Sequence, residues 1–207
     1  MGKKKSKGSQ LAARASKAER IEAALGTEAV QYRGHRAVRT VGLLSKASDQ
    51  PPLLALSAVP PAAGLVLNQP RLARAGVRML ASELLATGIK AGIKRYIART
   101  RPHKMLEDGR YLLHPDKKAK RNEGPWNSFP SGHTAGAVAV GRAFSREYPQ
   151  ASGATALTAV AVGAVQLPLG NHFASDVVAG ALVGFISEAV VDRLVATSAA
   201  DMHMRMA

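Results

Sequence analysis

At 207 residues the chain is long enough for one domain with a buried core and too short for two. Hydrophobic residues make up 46% but aromatic ones only 4%, so Ala, Val and Leu dominate, a mix that suits close helix packing better than a sheet core. The absence of cysteine excludes disulfides, thiolate metal sites and a cysteine nucleophile, and a formal charge of +15 points to anionic partners: nucleic acid, anionic lipid or phosphorylated substrates.

The first twenty residues, MGKKKSKGSQLAARASKAER, hold seven Lys/Arg against one Glu and lack the apolar stretch of a secretory signal. Residues 1–27 are expected to form a disordered basic tail, either a solvated charge run or a contact for anionic lipid. No aromatic residue interleaves its lysines, so it offers no stacking platform, and nucleic acid is not an expected partner. Residues 28–50 mix Arg33, Arg36 and Arg39 with Val38, Val41, Leu43 and Leu44, the pattern of an amphipathic helix lying on a bilayer or against a bundle.

Residues 51–197 read as the helical bundle. The uncharged runs 51–70 and 151–170 each have roughly the length of a membrane span, the first with a kink expected at Pro60 and Pro61. Between them, residues 71–101 are helical in pattern but carry Arg74, Arg78, Glu83, Lys90 and Lys94, which in lipid must face the bundle interior or lie near its ends. Two further helices are expected over 133–145 and 174–197, joined to the rest by a polar excursion between Pro102 and Phe129. The fold class that follows is all-α, a membrane-associated bundle of about five to six helices with no strands, closing on a tail over 198–207. The expected location is a cytoplasmic (inner) membrane crossed several times.

Three clusters carry possible chemistry. In KRYIARTRP, Lys94 and Arg101 are seven apart, two helical turns, which would aim both to one side near the helix end; an ordinary solvated basic end looks the same. In FPSGHTAG, Ser131 is a candidate cap, and the free amides beyond it with Gly132 make an anion pocket next to His133. A cap with an incidental histidine is the plain alternative. In GNHFASD, His172 and Asp176 are four apart, where a carboxylate can hold an imidazole in one tautomer; a surface pair has the same spacing. Together they form a parts list for phosphoryl transfer through a phosphohistidine.

The ordered pattern K-x6-R-P, P-S-G-H, H-x3-D resembles the type 2 phosphatidic acid phosphatase superfamily over roughly residues 50–196. The resemblance implies His172 as nucleophile oriented by Asp176, His133 as general acid, and Lys94, Arg101, Ser131 and the Gly132 backbone as the phosphate cradle. It implies no metal and no cofactor, since the cations neutralise the phosphate, and a lipid phosphate or prenyl pyrophosphate as substrate. The third motif departs from the family pattern: Gln166 stands where that pattern has a phosphate-binding arginine. A neutral amide in place of a guanidinium forfeits on the order of 1–2 kcal/mol, a slowing of about five- to thirtyfold, for which Arg99 or Lys104 are the nearby substitutes. A catalytically weakened phosphate- or phospholipid-binding member is the alternative.

Overall fold

The computed structural model describes residues 17–108, 113–115 and 124–206. Residues 1–16, the larger part of the expected basic tail, lie outside that range, as do residues 116–123 of the polar excursion. The chain is built from α1 (Lys17–Val30), α2 (Arg36–Ser45), α3 (Gln50–Val66), α4 (Pro70–Tyr96), β1 (Ile97–Arg99), α5 (Pro102–Asp108), β2 (Leu113–Pro115), α6 (Gly132–Glu147), α7 (Ser152–Val165) and α8 (Ala174–Met206).

All-α holds as the class, but the described residues contain eight α-helices rather than five to six. Three local features account for the excess. Lys17–Val30 is helical where a disordered tail was expected to residue 27. His35 adopts an extended conformation and caps α2 through its ring, accepting from the Ala37 amide at 3.3 Å, which divides this region into two helices. The polar excursion folds the short α5 and the strand β2, which pairs antiparallel with β1 at Ile97–Pro115 and Arg99–Leu113. Three-residue strands are too short to leave an alternating pattern. At the other end of the chain, α8 runs on to Met206 through the expected C-terminal tail.

The bundle proper is α3, α4, α6, α7 and α8, with α4 packed on α3, α6 and α8, and α6 on α7. Its interior is lined by small residues: Ala75, Ala86, Ala135, Ala139 and Ala143 are all essentially inaccessible. Backbones therefore approach closely, as they do where helices associate without large side chains between them. At Gly76 a Cβ would fall on the backbone of Pro60 and Pro61, so α4 presses against the two prolines, which α3 keeps inside its helix.

Charges within the bundle are paired as the sequence demands. Arg78 binds Asp192 at 2.6 Å and Glu147 at 3.2 Å, and the fully buried Glu188 takes Arg142 at 2.8 Å and Arg146 at 2.6 Å. This network closes the end of the bundle reached by the C-terminus of α6. Outward, the surface is apolar: Leu56, Val59, Leu157, Val160, Leu182 and Ile186 are all more than half exposed. Among the described residues one helix, over Ala174–Thr197, is long and apolar enough to cross a membrane by itself.

Candidate active site

The three motifs meet at the other end of the bundle. α6 begins at Gly132 because Ser131, in an extended conformation, turns its hydroxyl back to accept from the Thr134 amide at 3.4 Å and the Thr134 hydroxyl at 3.0 Å. Ser131 is fully buried, and its own amide donates to the carbonyl of Asp176 at 2.9 Å, tying the second motif to the third. Gly180 makes this contact possible, since a Cβ there would fall on the Ser131 carbonyl.

His172 lies in the loop between α7 and α8, buried, with its Nδ1 2.7 Å from the carbonyl of Ser128 and 3.7 Å from Asp176 Oδ2. A carbonyl only accepts, so Nδ1 carries the hydrogen and Nε2 keeps its lone pair. The nearer orienting group is thus a backbone carbonyl, with the expected Asp176 carboxylate behind it. Burial pushes the pKa of His172 below the ordinary histidine range, opposed by the hydrogen bond and charge of Asp176 and reinforced by the charges of Arg101 and Lys94. Burial and the two cations thus favour the uncharged ring.

His133 faces His172 at 6.0 Å between ring centroids, the planes 70° apart. Its Nε2 lies 2.7 Å from Asp49 Oδ1. Asp49 sits at the N-cap position of α3 but makes no capping hydrogen bond. Its carboxylate goes to His133 instead. An ionised carboxylate only accepts, so a proton is stationed on His133 Nε2. Sequence spacing gave no sign of this pair, which joins residues 84 positions apart.

The cations arrive by a different route from the one two helical turns would give. α4 ends at Tyr96, and Ile97–Arg99 is strand, so Lys94 and Arg101 share no helix. They nevertheless converge. Lys94 Nζ donates to the Asn127 carbonyl at 3.2 Å, and Lys94 and Arg101 are mutual electrostatic neighbours beside His172. Arg101 Nε is buried without a hydrogen-bond partner, and so is Ser128 Oγ. Burial lowers the pKa of Arg101, and Asp176 and Asp49 oppose that shift; a guanidinium stays charged regardless. Lys90, one helical turn before Lys94, was missed as a candidate: its Nζ would lie 3.3 Å from a Cβ at Gly132, which puts its side chain at the start of α6. Lysines four apart on one helix share a face, the signal that could have found it.

Arg99 and Gln166 do not join the cavity groups. Arg99 Nη1 holds Asp176 Oδ1 at 2.6 Å, Nη2 holds Glu22 at 2.7 Å, and the guanidinium lies 4.3 Å above the Phe173 ring. It clamps the carboxylate behind His172 and is no substitute phosphate ligand. Gln166 is fully buried; its Nε2 donates to Ser45 Oγ at 3.3 Å and the Val162 carbonyl at 3.2 Å, and its Oε1 accepts from Asn171 at 3.0 Å. The amide braces the loop instead of reaching for a ligand. Lys104 pairs with Glu107 at 3.4 Å. Among the described residues no three imidazole or carboxylate groups converge as metal ligands.

A helical bundle with a cationic end, two facing histidines and a carboxylate behind one of them is the architecture of a phosphate-handling protein. The chain belongs to the PAP2 superfamily, whose profile matches residues 75–199. It is similar to lipid A 1-phosphatases of Rhizobium etli, at 30% identity over 106 residues, and of Rhizobium johnstonii, at 32% over 92 residues. These matches cover 51% and 44% of this chain, and 44% and 36% of those proteins, so less than half of either relative is spanned. The fold is shared with a transmembrane PAP2-type phosphatidylglycerolphosphate phosphatase of Bacillus subtilis, with a TM-score of 0.63 and 22% identity over 90% of both chains.

Proposed function

We propose that the chain is a membrane phosphatase that hydrolyses a lipid phosphate or prenyl pyrophosphate through a phosphohistidine at His172, without a metal ion. The observation that carries this reading is the fixed tautomer of His172: with Nδ1–H held by the Ser128 carbonyl, Nε2 is an uncharged nucleophile opposite His133. In the first step Nε2 attacks phosphorus, the bond from phosphorus to the leaving oxygen breaks, and His133, entering the step as the imidazolium, passes its Nε2 proton to that oxygen and becomes neutral, the substrate displacing the Asp49 carboxylate. In the second step His133 takes a proton from water, which attacks the phosphohistidine and releases phosphate and free His172. Lys94 and Arg101, with Ser131 and the Gly132 backbone, cradle the phosphoryl oxygens, and Lys90 adds a third cation. Asp176, clamped by Arg99, stabilises the charge that develops on His172.

The membrane placement rests on the exposed Leu, Val and Ile side chains of α3, α7 and α8, and a multi-pass cytoplasmic membrane protein is the form it takes. The lipid A and phosphatidylglycerolphosphate phosphatases named above support a phosphorylated lipid as substrate.

Phosphate release from phosphatidic acid, phosphatidylglycerol phosphate, undecaprenyl pyrophosphate and an aryl phosphate, with EDTA present, tests the proposal. Turnover that survives the chelator and is lost in His172→Ala is expected. A folded wild-type protein silent on every substrate would instead favour a phosphate-binding member with the neutral Gln166 in its third motif.

A further inference from the structure

The proposed site opens into a cavity of about 530 Å3, lined by Arg101 and His133 of the site and by Arg33, Arg39 and Lys46. Asp49 is the one carboxylate in that wall, and His133 already engages it at 2.7 Å. The side chains of Arg33, Arg39 and Lys46 make no hydrogen bond or ion pair within the described residues. With Asp49 as the single carboxylate against them, three like charges and Arg101 at one cavity leave it net positive and concentrate anions there.

The segment that carries them is fastened over the site. Glu22 of α1 holds Arg99 at 2.7 Å and the Ser175 amide at 2.6 Å. Gly26 lies against Phe173, next to His172, and Gly42 of α2 lies against Leu169, where a Cβ would come within 3.1–3.2 Å of either side chain. Ser45, at the end of α2, takes the hydrogen bond from Gln166. Residues 17–48 thus form a cap whose cations look into the same space as the nucleophile's partner.

We propose that this cap builds a second anion subsite, in which Arg33, Arg39 and Lys46 hold a second phosphate or carboxylate group of the substrate while the first occupies the cradle. The enzyme is then selective for doubly anionic lipid phosphates over simple phosphomonoesters. The inference rests on the phosphatase reading for the role of the first group. The second group is either the other half of a diphosphate or a separate anion a few bonds away.

Calorimetric titration of the full chain in detergent decides it, with orthophosphate, methylenediphosphonate and glycerol 1,3-bisphosphate as probes and Arg39→Gln/Lys46→Gln as the variant. All three cations are exposed, so the variant keeps its fold, and Arg33→Gln serves as a second, independent lesion. Wild type should bind one of the two bis-anions at least about tenfold more tightly than orthophosphate, and which one it prefers separates a diphosphate from a spaced pair. In either variant that ratio should fall by about fivefold, the scale of a solvent-screened charged contact. A ratio left unchanged, or an equal loss for orthophosphate, overturns the subsite. Phosphate release measured alongside keeps the two readings apart. A selective binder that hydrolyses nothing sinks the phosphatase and leaves the subsite, whereas a phosphatase whose variants keep the wild-type ratio sinks the subsite alone.

Discussion

Replacing Arg99 by Met separates a phosphate ligand from a structural clamp. The guanidinium is 3% exposed at its side chain and Asp176 is 0% exposed, so the substitution leaves a buried carboxylate without its cation. Breaking a buried pair in this way costs about 3–5 kcal/mol. The bridge to Glu22, whose side chain is 19% exposed, adds about 1 kcal/mol at most after screening. The stacking on Phe173, buried and 4.3 Å away, adds a further contribution on the order of 1–2 kcal/mol that is not additive with the first. A net loss of about 4 kcal/mol, at about 2–4 °C per kcal/mol for a chain of this size, lowers Tm by about 8–16 °C. Thermal unfolding in detergent, followed by far-UV circular dichroism, reads this shift. The double variant Arg99→Met/Asp176→Asn should recover part of the loss, because no uncompensated charge then remains. An Arg99→Met protein that melts within about 2 °C of wild type but binds phosphate weakly would refute the clamp and return Arg99 to the cradle.

Gly180→Ala places a methyl group against the Ser131 carbonyl and should cost about 1–3 kcal/mol together with most of the activity, since Ser131 and Asp176 are joined at that point; Gly88→Ala, with nothing within 4 Å of its Cβ, should be neutral or stabilising in the same melting assay. The site, α1 and α2 share one end of the bundle, and the bend between α3 and α4 and the turn before α7 share the other. By charge preference, the exposed basic residues of α2 lead us to expect the site end on the cytoplasmic side. Because the chain lacks cysteine, single reporters at Thr40 and Gln150 can test this in intact cells: an impermeant maleimide should label Gln150→Cys and spare Thr40→Cys, and the reverse pattern would place the site outside.

The helical class and the residues of the three motifs were legible because each leaves a local mark. The cap at Ser131, the four-residue spacing of His172 and Asp176 and the apolar runs all depend on neighbours within one turn. What the sequence concealed depends on partners far along the chain. Asp49 sits ahead of Gln50 and two prolines like an ordinary helix cap, and only the folded bundle turns its carboxylate to His133. Arg99 and Arg101 are two residues apart and chemically identical. The strand that interrupts the helix sends one into the Asp176 clamp, while the Nε of the other stays unpartnered.

The N-terminal segment is the sharpest case of this limit. Its amphipathic pattern fitted a bilayer surface as well as a bundle, because periodicity reports which face is apolar and not what covers it. The contacts that fasten the N-terminal helices to the bundle, Glu22 with Arg99 and Ser45 with Gln166, span 77 and 121 positions, while Leu43 and Leu44 stay exposed. They also change the meaning of Gln166. Read alone, it is a lost cation; in place, its amide fastens the helix that brings Arg39 and Lys46 to the same cavity. Restoring arginine at position 166 would therefore bury a charge with Ser45 and Asn171 as its neighbours, detaching α2 from the loop, and should lower phosphate release instead of raising it. A gain in turnover with an unchanged melting temperature would show that the cradle lacked a cation after all.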